Sequence, residues 1–242
     1  IPYIMGGDPD LATTVRLLEV LVAAGADMIE VGVPFSDPLA DGAVIQAAGQ
    51  RALRNGCTVE KLFQALQSVA LQLPVPVVCM IYYNLIYQRG IERFLEAAAE
   101  AGVSGLIIPD LPPDDSAELQ QLAPRYGIAL NYLVAPTSTG ERIVKAAEAS
   151  TGFVYAVSLK GVTGARQSLP PELPKFIQTV KAATPKPVAV GFGIATPEQA
   201  RMVAGLADGV IVGSAVVKAA AEGPDLQQVK GLVSDIKSAM KL

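Results

Sequence analysis

Short apolar runs rich in β-branched residues recur along the chain, separated by longer segments that carry the charged residues. Eight such runs occupy residues 2–5, 28–33, 75–81, 105–108, 129–134, 153–157, 187–191 and 209–212. Continuous apolar runs of this length are typical of strands that are buried on both faces, as in a parallel sheet. The pattern therefore predicts eight buried, parallel β-strands.

The segments between these runs carry apolar residues at helical spacing. Clear examples occupy residues 13–24, 59–73, 91–101, 116–126, 141–149 and 197–204. Eight β-α units in 242 residues average about 30 residues each, which is the size of a βαβ step. Because right-handed crossovers can close eight such units into a ring, we predict an α/β fold of the (β/α)8 TIM-barrel type, with a doubly wound open sheet as the alternative.

The chain shows no division into separate units. No linker rich in Pro, Ser or Gly and no shift in composition interrupts it, so residues 1–242 are predicted to form a single domain. Active sites of such barrels lie on the loops that follow the C-terminal ends of the strands. We therefore look for candidate chemistry in those loops.

Composition excludes several classes of function. Hydrophobic residues make up 51% of the chain, but charged residues interrupt every apolar stretch before the roughly 18 residues of a membrane span. A net charge of −4 with scattered Lys and Arg argues against nucleic-acid binding. No signal-peptide pattern is present, and Cys57 and Cys79 form no CxxC pair. We expect a cytoplasmic protein, or a plastid one if a transit peptide has been removed.

Histidine is absent from the chain. This absence removes Ser-His and Cys-His nucleophile systems and the commonest metal ligand. The predicted strands also carry no lysine for a Schiff base, and no carboxylates are spaced as a metal-binding cluster. We therefore expect metal-free acid/base chemistry by carboxyl groups.

Glu30 lies in the middle of the second predicted strand, in the run DMIEVGV at 27–33. Alternation places Ile29, Val31 and Val33 on the face toward the helices, and Glu30 on the face toward the barrel interior. Burial there raises the pKa of a carboxyl group toward values that suit proton transfer. The alternative is a structural carboxylate whose oxygens are satisfied by hydrogen bonds.

A long loop with two carboxylates follows this strand, in the run PFSDPLADG at 34–42. Asp41 is the stronger catalytic candidate because it lies eleven residues past Glu30, at the mouth of the barrel. Asp37, which precedes Pro38, is equally well explained as a turn former. Asp110 closes the fourth strand among prolines, where support of the loop is the favoured role.

Glycine-bearing segments follow the sixth, seventh and eighth strands, at 161–164, 191–193 and 213–214. Barrels of this class commonly bind phosphate with the loops after strands 7 and 8 and a helix N-terminus, where glycine lets backbone N–H groups approach the anion. Ser214 opens a helical stretch and is placed at its positive end. The alternative is that these glycines only terminate strands, but together they predict a phosphate site.

The run EVGVPFSDPLADG at 30–42 closely resembles the signature of the tryptophan synthase alpha subunit family, and the likeness extends along nearly all 242 residues. Matching segments are GDP at 7–9, YYN at 82–84, PDLP at 109–112, GVTG at 161–164, GFGI at 191–194 and GSA at 213–215. The chain departs from the family where Met5 and Gly6 replace a Thr-containing segment and where Ala43 replaces a common proline.

The resemblance implies a lyase of tryptophan biosynthesis that splits indole-3-glycerol phosphate into indole and glyceraldehyde 3-phosphate. Glu30 would be the proton shuttle, Asp41 would stabilise charge on the indole nitrogen, and Thr163 would orient Asp41. Positions matching the family's phosphate-binding residues are Gly164, Gly193, Gly213 and Ser214. The positions that match or neighbour the family's residues around the indole are Tyr3, Met80, Tyr82, Ile107, Leu133, Tyr155 and Phe192. For each of these residues the alternative is a purely structural role in the hydrophobic core.

The resemblance also implies a beta-subunit partner in an alpha-beta-beta-alpha complex. Pyridoxal phosphate would belong to that partner, and this chain would carry no cofactor. Pro34 and Asp37 would face the partner. The loop 158–169 is long and contains glycines, so we expect it to be mobile and to close over substrate. Two other functions stay open: a stand-alone lyase that releases free indole, and a non-catalytic regulatory subunit.

Overall fold

The computed structural model describes residues 1–157, 170–191, 193–223 and 225–240. All strand pairings between these residues are parallel. The strands are β1 (Tyr3–Met5), β2 (Ile29–Gly32), β3 (Val77–Met80), β4 (Val103–Ile107), β5 (Ala129–Asn131), β6 (Leu133–Val134), β7 (Val154–Val157), β8 (Val188–Gly191) and β9 (Gly209–Val210). Each lies inside or within two residues of a predicted apolar run.

β5 and β6 are two segments of one strand, interrupted at Tyr132. The N–H of Tyr132 donates to the Ser150 hydroxyl at 3.1 Å, and its carbonyl accepts from the N–H of Tyr155 at 3.0 Å. The strand thus pairs with β4 through its first segment and with β7 through its second. The nine segments consequently form the eight strands of the barrel, as predicted.

The ring closes between the first and last strands. The N–H of Tyr3 donates to the Val212 carbonyl at 2.9 Å, and the N–H of Val212 donates to the Ile1 carbonyl at 3.0 Å. These bonds form a parallel bridge between Pro2 and Val212 that joins β1 to the end of β9. The closed ring confirms the (β/α)8 barrel, and the doubly wound alternative is wrong.

Helices surround the strands of the barrel. They are α1 (Leu11–Ala23), α2 (Ala43–Arg54), α3 (Val59–Gln67), α4 (Tyr83–Tyr87), α5 (Ile91–Glu100), α6 (Ala117–Leu122), α7 (Gly140–Ala149), α8 (Leu173–Ala182), α9 (Pro197–Ala204), α10 (Ser214–Ala221) and α11 (Gln227–Ala239). The six clear examples of the helical pattern do not include α2, α4, α8, α10 or α11. The two longest helices, α1 and α11, have 13 residues each, and no described helix is long and apolar enough to cross a membrane.

Two predicted helices are shorter than their apolar pattern. The stretch 59–73 is helical only to Gln67 and then forms a 3-10 turn at Ala70–Gln72. The stretch 116–126 is α-helical to Leu122 and continues as a 3-10 turn at Ala123–Tyr126 that contains Pro124. Proline lacks the N–H that would continue the α-helical ladder, which explains the change in the second case.

Candidate active site

Glu30 occupies the centre of the barrel. It lies in β2 between Tyr3 of β1 and Val78 of β3 in the strand register, and its side chain is completely buried. Neither carboxyl oxygen has a hydrogen-bond partner among the described residues. The alternative of a structural carboxylate satisfied by hydrogen bonds therefore has no support in the described part of the chain.

The burial of Glu30 changes its acidity. Desolvation, reinforced by the negative charge of Asp41, raises the pKa of Glu30 to about 8 from an ordinary value of 4.5. At neutral pH the carboxyl group is thus mostly protonated. Such a group can give a proton to a substrate and take one back in the next step.

Asp41 lies on the loop between β2 and α2. Its N–H donates to the Pro38 carbonyl at 3.1 Å, and Gln46 Nε2 donates to the Asp41 carbonyl at 2.9 Å. Burial raises the pKa of the carboxyl group to about 6, while a hydrogen bond from Tyr82 opposes that shift. At neutral pH Asp41 is mostly ionised, so the two carboxyl groups differ in protonation, as acid and charge-stabilising groups do in many enzymes.

Tyr82 holds the loop that carries Asp41. Its hydroxyl donates to the Asp41 carboxylate and accepts from the N–H of Ala40 at 3.0 Å. Its ring stacks on Phe35 with ring centres 5.0 Å apart. Next to it, the N–H of Tyr83 donates to Asp110 Oδ1 at 2.9 Å, so Asp110 supports the adjoining loop as its sequence context predicted.

Two tyrosine rings pack against glycines at the ends of neighbouring strands, Tyr3 of β1 against Gly32 of β2 and Tyr155 of β7 against Gly191 of β8. A Cβ on Gly32 would lie 2.5 Å from Tyr3 Cζ, and one on Gly191 would lie 2.8 Å from both Cε1 and Cζ of Tyr155. Real Cβ atoms do not approach other atoms so closely. Gly32 and Gly191 therefore make room for the rings of Tyr3 and Tyr155, and the Gly191 of the predicted phosphate segment has a packing role in this structure.

A cavity of about 380 Å³ opens at this end of the barrel. It is lined by Tyr3, Glu30, Asp41, Gly42, Val44, Ile45, Met80, Tyr155, Gly193, Ile194, Ala195, Ile211, Gly213, Ser214, Ala215 and Lys218. The two carboxyl groups thus share one space with apolar side chains and with the segments after β8 and β9. This size and mixture suit a ligand with an aromatic part and a polar tail.

The N-termini of α9 and α10, beside this cavity, differ in how their N–H groups are capped. Thr196 and Gln199 form a capping box at α9, and Gln199 Oε1 also accepts from the N–H of Ala195 at 2.8 Å. At α10, the N-cap is Gly213, and no side chain of the described residues caps the helix. Since an uncapped helix N-terminus attracts anions, α10 is the end that suits a phosphate group.

The structure brings together eight of the fourteen predicted catalytic and substrate-binding residues: Tyr3, Glu30, Asp41, Met80, Tyr155, Gly193, Gly213 and Ser214. Three more do not line the cavity: Tyr82, which binds the Asp41 loop, Ile107, which is wholly buried in β4, and Leu133, which is half-buried in β6. Thr163, Gly164 and Phe192, and with them the predicted closing loop 158–169, lie outside the described residues.

Sequence reasoning missed several residues of the cavity wall. The apolar ones include Ile45 of α2 and Ile211 after β9, and the charged one is Lys218 of α10. The amphipathic pattern of α2 marks Ile45 as buried but does not show which neighbour covers it. The sequence does contain a signal for Lys218. It lies four residues after Ser214, so both side chains are predicted to lie on the same face of the helix.

The loop predicted to face a partner is partly exposed. Pro34 is buried within this chain, whereas Asp37 is exposed and accepts a hydrogen bond from the Ser36 hydroxyl. Leu39 of the same loop is 90% exposed, the largest value among the exposed large hydrophobic residues. Among the described residues there is no cluster of three His, Cys, Asp or Glu side chains able to hold a metal ion.

Comparisons with known proteins identify the family of this chain. The family model of the tryptophan synthase alpha chain matches residues 1–241. The alpha chain of Picosynechococcus sp. is 50% identical over 99% of this chain and 92% of its own length, and that of Thermoanaerobacter sp. is 44% identical over 99% and 93%.

Solved structures give the same result. A chain of Mycobacterium tuberculosis tryptophan synthase, 40% identical, superposes with a TM-score of 0.92 and covers 100% of this chain and 91% of that one. A chain of the tryptophan synthase α2β2 complex of Pyrococcus furiosus, 38% identical, has a TM-score of 0.92 and covers 98% and 96%. This chain therefore belongs to the tryptophan synthase alpha chain family.

Proposed function

We propose that Glu30 and Asp41 catalyse the cleavage of indole-3-glycerol phosphate to indole and glyceraldehyde 3-phosphate, the lyase reaction of the tryptophan synthase alpha chain in tryptophan biosynthesis. The observation that carries this proposal is the pairing of two buried carboxyl groups of different acidity, with pKa values of about 8 and about 6, in one cavity. A carbon–carbon cleavage of this kind needs a proton donor and a stabilised cation at the same time.

In the first step, protonated Glu30 gives its proton to indole C3. The ring becomes an indoleninium cation whose positive charge lies largely on the nitrogen. The ionised Asp41 faces the same cavity and stabilises that charge. The buried setting strengthens this interaction because little water screens it.

In the second step, the Glu30 carboxylate takes the proton of the glycerol hydroxyl next to the ring. The C–O bond becomes a carbonyl, the bond between that carbon and indole C3 breaks, and its electron pair restores the aromatic ring. Glu30 is protonated again at the end, so the cycle is closed without another reagent. A pKa near 8 suits both halves of this exchange at neutral pH.

Binding would use both the apolar and the polar parts of the cavity lining. The apolar wall of Met80, Ile45 and Ile211 suits the flat indole ring. Gly193, Gly213 and Ser214 line the same cavity, and at Gly213 and Ser214 the N-terminus of α10 offers N–H groups to the phosphate. Thr163, Gly164 and Phe192 remain part of the proposal as predictions from the family resemblance.

The proposal includes a beta-subunit partner, since the Pyrococcus furiosus relative forms an α2β2 complex. The exposed Asp37 and Leu39 give the loop after β2 a surface for that contact, while the buried Pro34 supports the loop. The pyridoxal phosphate would lie in the beta subunit, and this chain would need no cofactor of its own. We place the reaction in the cytoplasm, where the free thiols of Cys57 and Cys79 stay reduced.

The experiment is indole release from indole-3-glycerol phosphate by the pure chain, with and without a tryptophan synthase beta subunit. Wild-type chain should release indole, and Glu30→Gln should lose about 100-fold or more of kcat because the amide keeps the shape but cannot transfer the proton. Full activity of Glu30→Gln would contradict the role of Glu30. Release that ignores the beta subunit would identify a stand-alone lyase, and no release under either condition would leave only the regulatory alternative.

A further inference from the structure

The charge balance of the cavity is unfavourable for a phosphorylated substrate. Among the described residues, its charged side chains are Glu30, Asp41 and Lys218. Ionised Asp41 repels a phosphate dianion, and Glu30 becomes negative during each turnover of the proposed reaction. The partial positive charge of the α10 N-terminus, roughly half a unit, does not balance two phosphate charges.

Lys218 is the basic side chain that lines the cavity in the described part of the chain. It belongs to α10, one turn after Ser214, and Ser214, Ala215 and Lys218 all face the same space. Side chains on a helix lean toward its N-terminus, so the Lys218 stem points back to the end where the N–H groups are free. A lysine in this position can bring its ammonium group to an anion at the start of the helix.

Lys218 also forms no ion pair with another described residue. The ion pairs between described residues use Arg51, Arg89, Lys145, Lys181 and Lys237, and none uses Lys218. Its side chain is exposed at the rim of the cavity. An exposed lysine that borders a substrate cavity and pairs with no carboxylate of the described residues can meet an incoming anion without first breaking one of these ion pairs.

We infer that Lys218 binds the substrate phosphate together with the N-terminus of α10, and so selects phosphorylated over unphosphorylated indole substrates. This inference rests on the proposed function. Lysine acts on phosphate as a compact point charge on a flexible stem, which fits a residue that approaches from the rim. The backbone N–H groups then fix the position of the phosphate, and Lys218 supplies the charge that offsets Asp41.

The test compares two probes that differ only in the phosphate: indole-3-propanol phosphate and indole-3-propanol. Their dissociation constants are measured by calorimetry for wild type, Lys218→Met, Lys218→Arg and the control Lys230→Met, an exposed lysine of α11. Lys218→Met should weaken binding of the phosphorylated probe roughly 3- to 10-fold, as expected for a partly exposed charge contact, and leave the other probe unchanged. Lys218→Arg should retain most of the affinity.

Kinetics and salt dependence separate this role from a structural one. Lys218→Met should raise KM for indole-3-glycerol phosphate by a similar factor with kcat nearly unchanged, and its binding of the phosphorylated probe should depend less on ionic strength than that of wild type. Equal weakening of both probes, or no weakening of either, would overturn the inference. An inactive wild-type chain that still shows the phosphate-specific loss would instead contradict the proposed function and keep the assignment of Lys218.

Discussion

The hydroxyl oxygen of Tyr82 lies 3.0 Å from the backbone nitrogen of Ala40 and accepts its hydrogen bond. The same hydroxyl donates to the carboxylate of Asp41, the next residue. One buried phenol at the end of β3 thus binds the loop after β2 at two consecutive residues. The loop position of Asp41 depends on a neighbouring strand as well as on its own turn.

Tyr82→Phe should therefore lower activity and shift its pH dependence. The Tyr82 hydrogen bond lowers the pKa of Asp41, so its loss should raise that pKa further above about 6. Asp41 must be ionised to stabilise the cation, so the acid limb of the kcat profile should move to higher pH. At neutral pH we expect a loss in kcat of roughly tenfold, equivalent to one hydrogen bond to a charged group.

The matched control is Tyr87→Phe, which removes a hydroxyl from a tyrosine that is 68% exposed on α4. It should leave the rate and the pH profile unchanged. A Tyr82→Phe variant with a lower kcat but an unmoved acid limb would show that Tyr82 supports the fold of the loop without affecting the Asp41 carboxylate.

The contacts of Tyr82 with the Asp41 loop could not be predicted from the sequence. Alternation along β2 correctly placed Glu30 inside the barrel, and the distance past the strand correctly placed Asp41 at its mouth. Both inferences use local geometry. The contact between Tyr82 and Ala40 joins residues 42 positions apart. Ile45 and Lys218 line the cavity because α2 and α10 pack beside β1. Such placements depend on tertiary packing, which strand and helix periods do not encode.

Glu30 should make folding depend on pH in a defined direction. Its pKa is about 8 in the folded chain against an ordinary value of 4.5, so the folded state favours the protonated form. The stability associated with this proton is fully present below about pH 4.5 and is lost as pH rises to about 8. Glu30→Gln removes the cost of burying the charge.

The free energy of unfolding of Glu30→Gln should therefore exceed that of wild type by an amount that grows between pH 5 and pH 8, by up to a few kcal/mol at about 1.4 kcal/mol for each pKa unit. Urea unfolding of both proteins at several pH values measures this difference. A difference that stays constant with pH would mean that Glu30 has the same pKa folded and unfolded. The role of Glu30 as a buried acid would then be wrong.

Gly213→Val should act on substrate binding rather than on folding. A Cβ at Gly213 meets Tyr3 Cβ at 3.7 Å, an ordinary contact, so the rest of the added side chain extends into the cavity at the N-terminus of α10. We expect KM for indole-3-glycerol phosphate to rise about tenfold or more, with a smaller change for Gly213→Ala. An effect confined to kcat would contradict the placement of the phosphate at this end.

Gly191→Ala should lower the stability of the folded protein. Its Cβ would lie 2.8 Å from the ring of Tyr155, which is buried and packs beside Phe153 with ring centres 6.4 Å apart. Because the ring has little room to move, we expect the free energy of unfolding to fall by about 1–3 kcal/mol, as for other overpacked cores. Gly140→Ala is the control, since its added Cβ meets no atom within 4 Å.

A double-mutant cycle tests whether the clash with Tyr155 causes the destabilisation by Gly191→Ala. Tyr155→Leu removes the ring that the new Cβ would strike, so Gly191→Ala should cost clearly less stability in the Tyr155→Leu background than in wild type. An equal loss of stability in both backgrounds would mean that Gly191 is required for its backbone conformation and not to make room for Tyr155. In that case Gly191 would regain the role first predicted for it, as part of the phosphate segment after β8, and the variant should then raise KM as Gly213→Val does.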